Sequence, residues 1–251
     1  LGPLIRSLFI PESGCKWGCF DYNQQEPRLV VHYASLDQDT SAFNVKDSYL
    51  NSEADFHTIV AKMADIPREQ AKTINLGLFY GMGKAKLQAE LGVSKEKAEE
   101  LFTIYHGRVP FVKNLMKSVS NRAQQRGQIR TLLGRLCRFH LWEPNQFGMH
   151  KALPFEQAVQ EHGPGIRRAY TYKALNKLIQ GSAADMTKKS MLDLYNEGII
   201  AHIQIHDELD LSIESDDKAK KVVEIMENAV KLEVPNKVDY ESGDNWGDIY
   251  D

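Results

Sequence analysis

The sequence predicts an α+β fold, an antiparallel sheet interrupted by a long and mostly helical insertion. Three observations carry this. A β-branched and aromatic run at 16–20 ends on Asp21, near the start of the chain. Two more apolar runs, 199–205 and 209–213, flank His206-Asp207-Glu208 near its end. Between them the patterning is mostly helical.

The elements follow in order. Residues 7–10 and 16–20 are separated by Pro11-Glu12-Ser13-Gly14, a turn cluster, so a first hairpin is expected with its second strand running into Asp21. Helices are expected over 26–35, 55–64, 68–81, 95–106, 110–126, 172–196 and 217–232. The one at 68 follows Pro67, a helix start signal. Residues 139–165 hold Pro144, Pro154, Pro164 and several glycines, and read as an irregular loop or insertion. The runs 199–205 and 209–213 read as a second hairpin with Asp207 and Glu208 at its bend. Its second strand alternates Leu, Asp, Leu, Ser, Ile, the pattern of a half-buried strand. No internal repeat is found.

Composition excludes several classes. The chain has 251 residues, 42% hydrophobic and 26% charged, which is ordinary for a globular protein and unlike collagen or a disordered chain. No apolar run approaches the roughly 20 residues that a membrane span needs. Cys15, Cys19 and Cys137 form no C-x-x-C pair and fit reduced thiols in a cytosol-like compartment. No partner set that would make Cys15 and Cys19 a metal site is recognised nearby in the sequence. The opening Leu1-Gly2-Pro3-Leu4 lacks Met and any signal-peptide pattern, which points to a processed product or a fragment. The net charge of −3 argues at first against nucleic-acid binding. Its distribution argues the other way. Residues 107–142 hold no Asp or Glu but carry Arg108, Lys113, Lys117, Arg122, Arg126, Arg130, Arg135 and Arg138. Such a stretch suits phosphates, and equally a solvated helix face.

Two sets of residues could carry chemistry. Asp21 and the pair Asp207-Glu208 end apolar strands, which are rigid mounts for carboxylates. Crowded carboxylates call for a cation, and hard oxygen donors suit Mg²⁺. The same residues also fit a polar β-turn and a helix cap. The second set is Arg68, Lys72, Leu76 and Tyr80, spaced by four. On a helix they fall within one face of about 120°. Two cations, an apolar side chain and an aromatic ring in a row match a nucleoside triphosphate, with phosphates on Arg and Lys and the base at the far end. An amphipathic solvated face has the same pattern.

Taken together, four stretches resemble the family A DNA polymerases, the bacterial DNA polymerase I and phage replicase type. They are Asp21-Tyr22-Asn23-Gln24-Gln25-Glu26-Pro27-Arg28; Arg68 and Lys72 followed by Asn75-Leu76-Gly77 and Tyr80-Gly81; Asn176 followed by Gln180-Gly181-Ser182-Ala183-Ala184-Asp185; and Ile205-His206-Asp207-Glu208-Leu209. They occur in the family's order and cover nearly the whole chain. The resemblance implies an antiparallel palm sheet with a helical fingers subdomain inserted: palm at 1–33, fingers at 34–171, palm again at 172–251. It implies a template-dependent DNA polymerase portion that adds deoxynucleotides to a primer 3′-hydroxyl. A single-subunit RNA polymerase relative and a non-catalytic DNA-binding remnant remain as alternatives.

The resemblance also assigns roles. Asp21 and Asp207, with the carbonyl of Tyr22, would hold two Mg²⁺ ions, which Mn²⁺ could replace. Glu208 would be a nearby, less central carboxylate. Lys72 and Arg68 would clamp the triphosphate, with Lys72 protonating the leaving pyrophosphate. His57 would touch the phosphates, and Gln24 belongs to the same nucleotide-binding set. Glu26 would be the steric gate against a ribose hydroxyl, the residue that favours DNA over RNA synthesis. Tyr80 would stack near the templating base. Asn176, Gln180 and His206 would line the primer–template. The implied partners are primer-template DNA, dNTPs and the N-terminal polymerase segment that the resemblance does not cover, a thumb and an exonuclease in relatives. The implied location is cytoplasmic, in the bacterial host if phage-encoded, with no membrane association. Some positions depart from the pattern. Leu76 stands where many members carry Phe or Tyr, so altered sugar discrimination is expected. Lys173 lies beside Tyr172, where many members carry Arg, and the 139–165 insertion is phage-like.

Overall fold

The computed structural model describes residues 2–51, 55–79, 82–146, 148 and 150–249. The chain begins with α1 (Gly2–Arg6), β1 (Lys16–Tyr22), α2 (Gln25–Leu36), α3 (Phe43–Asn51), α4 (Phe56–Ala64) and α5 (Arg68–Phe79). It continues with α6 (Lys84–Leu91), α7 (Lys95–Arg108), α8 (Pro110–Arg126), β2 (Gln128–Arg130), β3 (Leu136–Arg138), β4 (Leu141–Pro144), β5 (Leu153–Pro154), α9 (Phe155–His162) and β6 (Ile166–Arg168). It ends with α10 (Ala174–Asn196), β7 (Ile203–Ile205), β8 (Glu208–Ile213), α11 (Asp216–Asn228) and β9 (Val238–Gly243). The fold is α+β, as the sequence predicts. None of the helices, among the described residues, is long and apolar enough to cross a membrane.

Two compact units divide the chain. The first is Leu1–Leu29 with Ala183–Asp251, and the second is Val30–Ser182. The divisions fall inside the continuous helices α2 and α10, so local sequence carries no break at them.

The first unit is built on an antiparallel sheet of order β7-β8-β1-β9. One face is apolar. Phe20 and Tyr240 stack at 4.7 Å between centroids, beside buried Leu209 and Leu211. Gly18 makes this approach feasible: a Cβ there would meet Ile213 Cγ1 at 2.7 Å and Tyr240 Cε2 at 3.1 Å. The Tyr22 hydroxyl pairs with Ser190 Oγ on α10 and donates to the Met226 carbonyl on α11, both at 2.6 Å. The opposite face carries Trp17, Cys19 and Trp246 with Ile203, Ile205 and Ile249.

Three expectations for this unit are corrected. Residues 7–10 form no strand; the partners of β1 are β8 and β9, both distant in sequence. Phe9 instead packs edge-on against Trp246 at 5.4 Å, and its carbonyl accepts the Trp246 N–H at 3.0 Å. The second hairpin forms, but its bend is His206-Asp207, because Ile205 pairs directly with Glu208. Strand β8 is buried on both faces, not one. Its polar alternates are covered by neighbouring structure instead of solvent.

The second unit is mostly helical. Phe56, Ile74, Leu87, Leu101, Tyr105 and Phe111 are among its largest fully buried side chains. Ser94 caps α7 by accepting the Lys97 N–H at 3.2 Å, and Gly127 ends α8 in the left-handed conformation at φ 68°. Arg122 on α8 grips Asp37 at 2.7 and 2.8 Å. Helices α3, α6 and α9 and the hairpin β2–β3 are additional to the elements predicted from sequence. The stretch expected to be irregular is partly ordered, with β4 paired to β5 and β6 and α9 beside them. Arg168 holds this insertion by stacking over Trp142 at 4.5 Å and donating to the Phe139 carbonyl at 2.9 Å.

Candidate active site

In the first unit, Asp21 is the penultimate residue of β1. It pairs with Glu208 on one side and Asp239 on the other. Directly paired residues point to the same face, so the register alone gathers three carboxylates. Asp207 enters through the β7–β8 turn, where His206 takes φ 52°, the positive φ that two-residue hairpin loops require. The Tyr22 N–H donates to the Asp207 carbonyl at 3.4 Å and ties this turn to the end of β1.

The crowding has an electrostatic consequence. Although Asp21 is exposed at its strand end, the partial desolvation there, reinforced by Asp207, Glu208, Asp239 and Glu241, pushes its carboxyl up to about 7. Burial also raises Asp207, with Glu208 adding and His206 offsetting. A carboxylate that holds its proton this firmly favours any positive charge beside it. A divalent cation meets the same need, and oxygen donors are the ones Mg²⁺ takes. The donor set therefore fits divalent ions.

The turn into α2 completes this side. Gln24 sits at φ 54° and donates to Asn23 Oδ1 at 3.1 Å. Glu26, half-buried in the first turn of α2, is raised to about 7 by burial and by Asp207, with His206 opposing. Pro27 is tolerated there because the first turn of a helix needs no intrahelical N–H donor. Arg28 is buried and stitches the turn together. It donates to the Asn23 carbonyl at 2.7 Å, to Asn23 Oδ1 at 3.1 Å and to the Pro235 carbonyl at 2.6 Å. The sequence quoted Arg28 only as part of a motif; this positioning role depends on a carbonyl 207 residues away.

In the second unit, α4 and α5 bring another set together. Asp55 caps α4, accepting the His57 N–H at 3.0 Å and the Thr58 hydroxyl at 2.8 Å. The same carboxylate accepts Arg68 Nε at 2.5 Å, so the cap also anchors the first residue of α5. The His57 ring is buried and meets the Asn75 amide at 2.9 Å. Burial lowers its pKa, and Arg68 and Lys72 lower it further against the pull of Asp55. Lys72 is exposed one turn after Arg68. Asn75, fully buried, is a site-supporting residue that sequence reasoning did not single out; its place in the second motif was the only signal. The Leu76 side chain and all of Tyr80 lie outside the described residues. Asn176 and Gln180 stand one turn apart on α10, half-buried and exposed.

The basic stretch is partly spent on structure. Arg122 binds Asp37, Arg130 donates to the Gly134 carbonyl at 3.0 Å, and Arg135 donates to the Gly181 carbonyl at 2.6 Å. The three cysteines are free thiols.

The sequence model described as DNA polymerase family A matches residues 1–248. A DNA-directed DNA polymerase of Pseudomonas phage M6 is 34% identical over 96% of this chain and 40% of its own length. DNA polymerase I of Geobacillus stearothermophilus is 34% identical over 98% of this chain and 28% of its own. Among solved structures, the POL domain of Pol1 from M. smegmatis, in complex with DNA primer-template and dNTP, matches with a TM-score of 0.78 and 27% identity. That match covers the whole of this chain and 43% of the other. The chain thus spans less than half the length of each of these relatives.

Proposed function

Since the chain belongs to DNA polymerase family A, we propose that it is a catalytic portion of a template-dependent DNA polymerase. The observation that supports this most is the carboxylate cluster, in which the β1–β8 register sets Asp21 opposite Glu208 and the adjoining turn adds Asp207. In this reading the first unit is a palm and the second a set of fingers.

Asp21, Asp207 and the Tyr22 carbonyl would hold two divalent ions, Mg²⁺ with Mn²⁺ able to substitute. When bound, such ions activate the primer 3′-hydroxyl and stabilise charge on the triphosphate. Glu208 keeps the pocket acidic from the neighbouring strand. Arg68 and Lys72 bind triphosphate oxygens, and Lys72 donates a proton to the leaving pyrophosphate. His57, held by Asn75, presents a neutral ring to the phosphates. Gln24 and Glu26 contact the incoming nucleotide, with Glu26 crowding the sugar 2′ position so that ribose is excluded. Leu76 and Tyr80 continue the nucleotide face of α5. Asn176, Gln180 and His206 contact the primer–template through minor-groove acceptors, which are nearly the same for every base pair. Substrates are dNTPs and primer-template DNA, with an N-terminal thumb-type segment as partner for DNA grip. The cytoplasm is the compartment this role needs.

Primer extension with a single matched nucleotide tests the reading. Mg²⁺-dependent addition of a dNTP, weak addition of the matching NTP, and loss of addition in Asp21→Ala are expected. Full activity of Asp21→Ala would overturn the site, and equal use of NTP would overturn the role of Glu26.

A further inference from the structure

The face of the sheet that carries Trp17 and Trp246 hides a second polar cluster. Cys19, Glu208 and Asp210 are all buried, at 4%, 9% and 0% exposure. Cys19 and Asp210 are direct partners in the β1–β8 register, and Glu208 lies two residues along β8 on the same face. One ligand atom from each side chain, Sγ and two carboxylate oxygens, lies within 4.8 Å of the others. Neither oxygen of Asp210 makes a well-formed hydrogen bond although the residue is fully enclosed; its neighbours are the Cys19 thiol, the Glu208 carboxyl and, less directly, the Arg6 guanidinium. A buried carboxylate in that state costs several kcal/mol unless something positive meets it. Trp17 Nε1 and Trp246 Nε1 of the same core are also buried without a well-formed hydrogen bond, the former beside the Cys19 sulfur.

We propose that Cys19, Glu208 and Asp210 form a binding site for a borderline-soft divalent transition metal, Zn²⁺ foremost, distinct from the ions assigned to Asp21 and Asp207 although it shares the Glu208 carboxylate with their pocket. One sulfur and two carboxylate oxygens are three ligands of the kind zinc takes, with a fourth position left for water. Ligand atoms around a tetrahedral zinc stand about 3.5 Å apart, so small side-chain rotations close the cluster from its present spacing. Sulfur sets the preference: Mg²⁺ favours all-oxygen shells, whereas Zn²⁺, Co²⁺ and Cd²⁺ accept thiolate. On binding, the metal–sulfur bond replaces the S–H bond of Cys19, and the proton leaves to solvent. The ion neutralises Asp210 and pins β1 to β8 beneath the strand ends that carry Asp21 and Asp207. Strand pairing and not local sequence brings Asp210 against Cys19, from 191 residues away. The site does not depend on polymerase activity.

Cobalt(II) titration tests it, read by absorption with Mg²⁺ in excess to fill all-oxygen sites. A thiolate-to-cobalt charge-transfer band is expected to saturate at one equivalent and to be displaced by Zn²⁺. Cys19→Ser abolishes the band, and Asp210→Asn weakens cobalt binding at least tenfold. The Cys15→Ser/Cys137→Ser double variant leaves the core thiol in place and must keep the band, which decides the matter even if Cys19→Ser fails to fold. Absence of the band in wild type, or its loss in the double variant, would overturn the proposal.

Discussion

The two units assemble opposite charges in opposite ways. In the first, carboxylates are fixed by strand register on a packed sheet, and their mutual repulsion is held in place by the fold. In the second, Lys72 projects from an exposed helix face, and Arg68 is half-exposed, steadied by Asp55 and more loosely by Glu69. The acidic site is rigid and costly, so it is poised to gain from a cation. The basic site is solvated and cheap, so it gains only from a ligand that brings several negative charges at once. In the proposed polymerase reading, the first unit would be the rigid metal mount and the second the adjustable phosphate grip.

The largest expected effect breaks the acidic side. Asp207→Ala should lower single-nucleotide incorporation by about 10³-fold, comparable to removing a group that stabilises transition-state charge. The far-UV circular dichroism should stay unchanged, because Asp207 lies in a turn and not in the core. Retention of more than a tenth of the rate would place the metal elsewhere.

Next comes the scaffold of that side. Arg28→Ala removes at least three hydrogen bonds made by one buried guanidinium and should cost about 2–3 kcal/mol in urea unfolding. The exposed Lys72→Ala should cost under about 0.5 kcal/mol by the same measurement. Equal losses would contradict the contrast between a packed and a solvated site.

A smaller effect sharpens the comparison through pH. The Asp21 carboxyl is raised to about 7 from an ordinary carboxylate value. A raised pKa contributes stability that is complete below the unfolded value, near 4, and is lost as pH rises through about 7. Without metal, the contribution of Asp21 should therefore fall between these limits, and the melting temperature with it. Added Mg²⁺ should restore more stability at pH 8 than at pH 5, since protons and metal compete for the same oxygens. Thermal unfolding with EDTA or Mg²⁺ at both pH values measures this. An Mg²⁺ effect that does not grow with pH would count against Asp21 as a ligand.

Much of the acidic side was legible in sequence, because an apolar run that ends in Asp is visible locally. What could not be read was which strands pair. The run at 7–10 has strand composition, yet the edges of β1 are taken by β8 and β9. Asp210 and Ser212 alternate with leucines as a solvent face would, but their face is covered. The stripe from Arg68 to Lys72 was legible from spacing alone. The support given to His57 by Asn75 was not, since it joins two helices through side chains that each look unremarkable in isolation. Residues whose roles are set by long-range pairing, Arg28, Cys19, Asn75 and Asp210, are the ones that sequence reasoning passed over.

The division of labour between the units is tested most directly by single-turnover incorporation in Asp21→Asn and Lys72→Ala, titrated separately with Mg²⁺ and with dNTP. Asp21→Asn should raise the Mg²⁺ requirement and cut the maximal rate, with dNTP affinity within about threefold of wild type. Lys72→Ala should weaken dNTP binding or slow the chemical step by about 10²-fold, with the Mg²⁺ requirement unchanged. If both variants shift the same parameter, or if Asp21→Asn keeps its rate at the wild-type Mg²⁺ concentration, the assignment of metal to one unit and phosphate to the other is wrong.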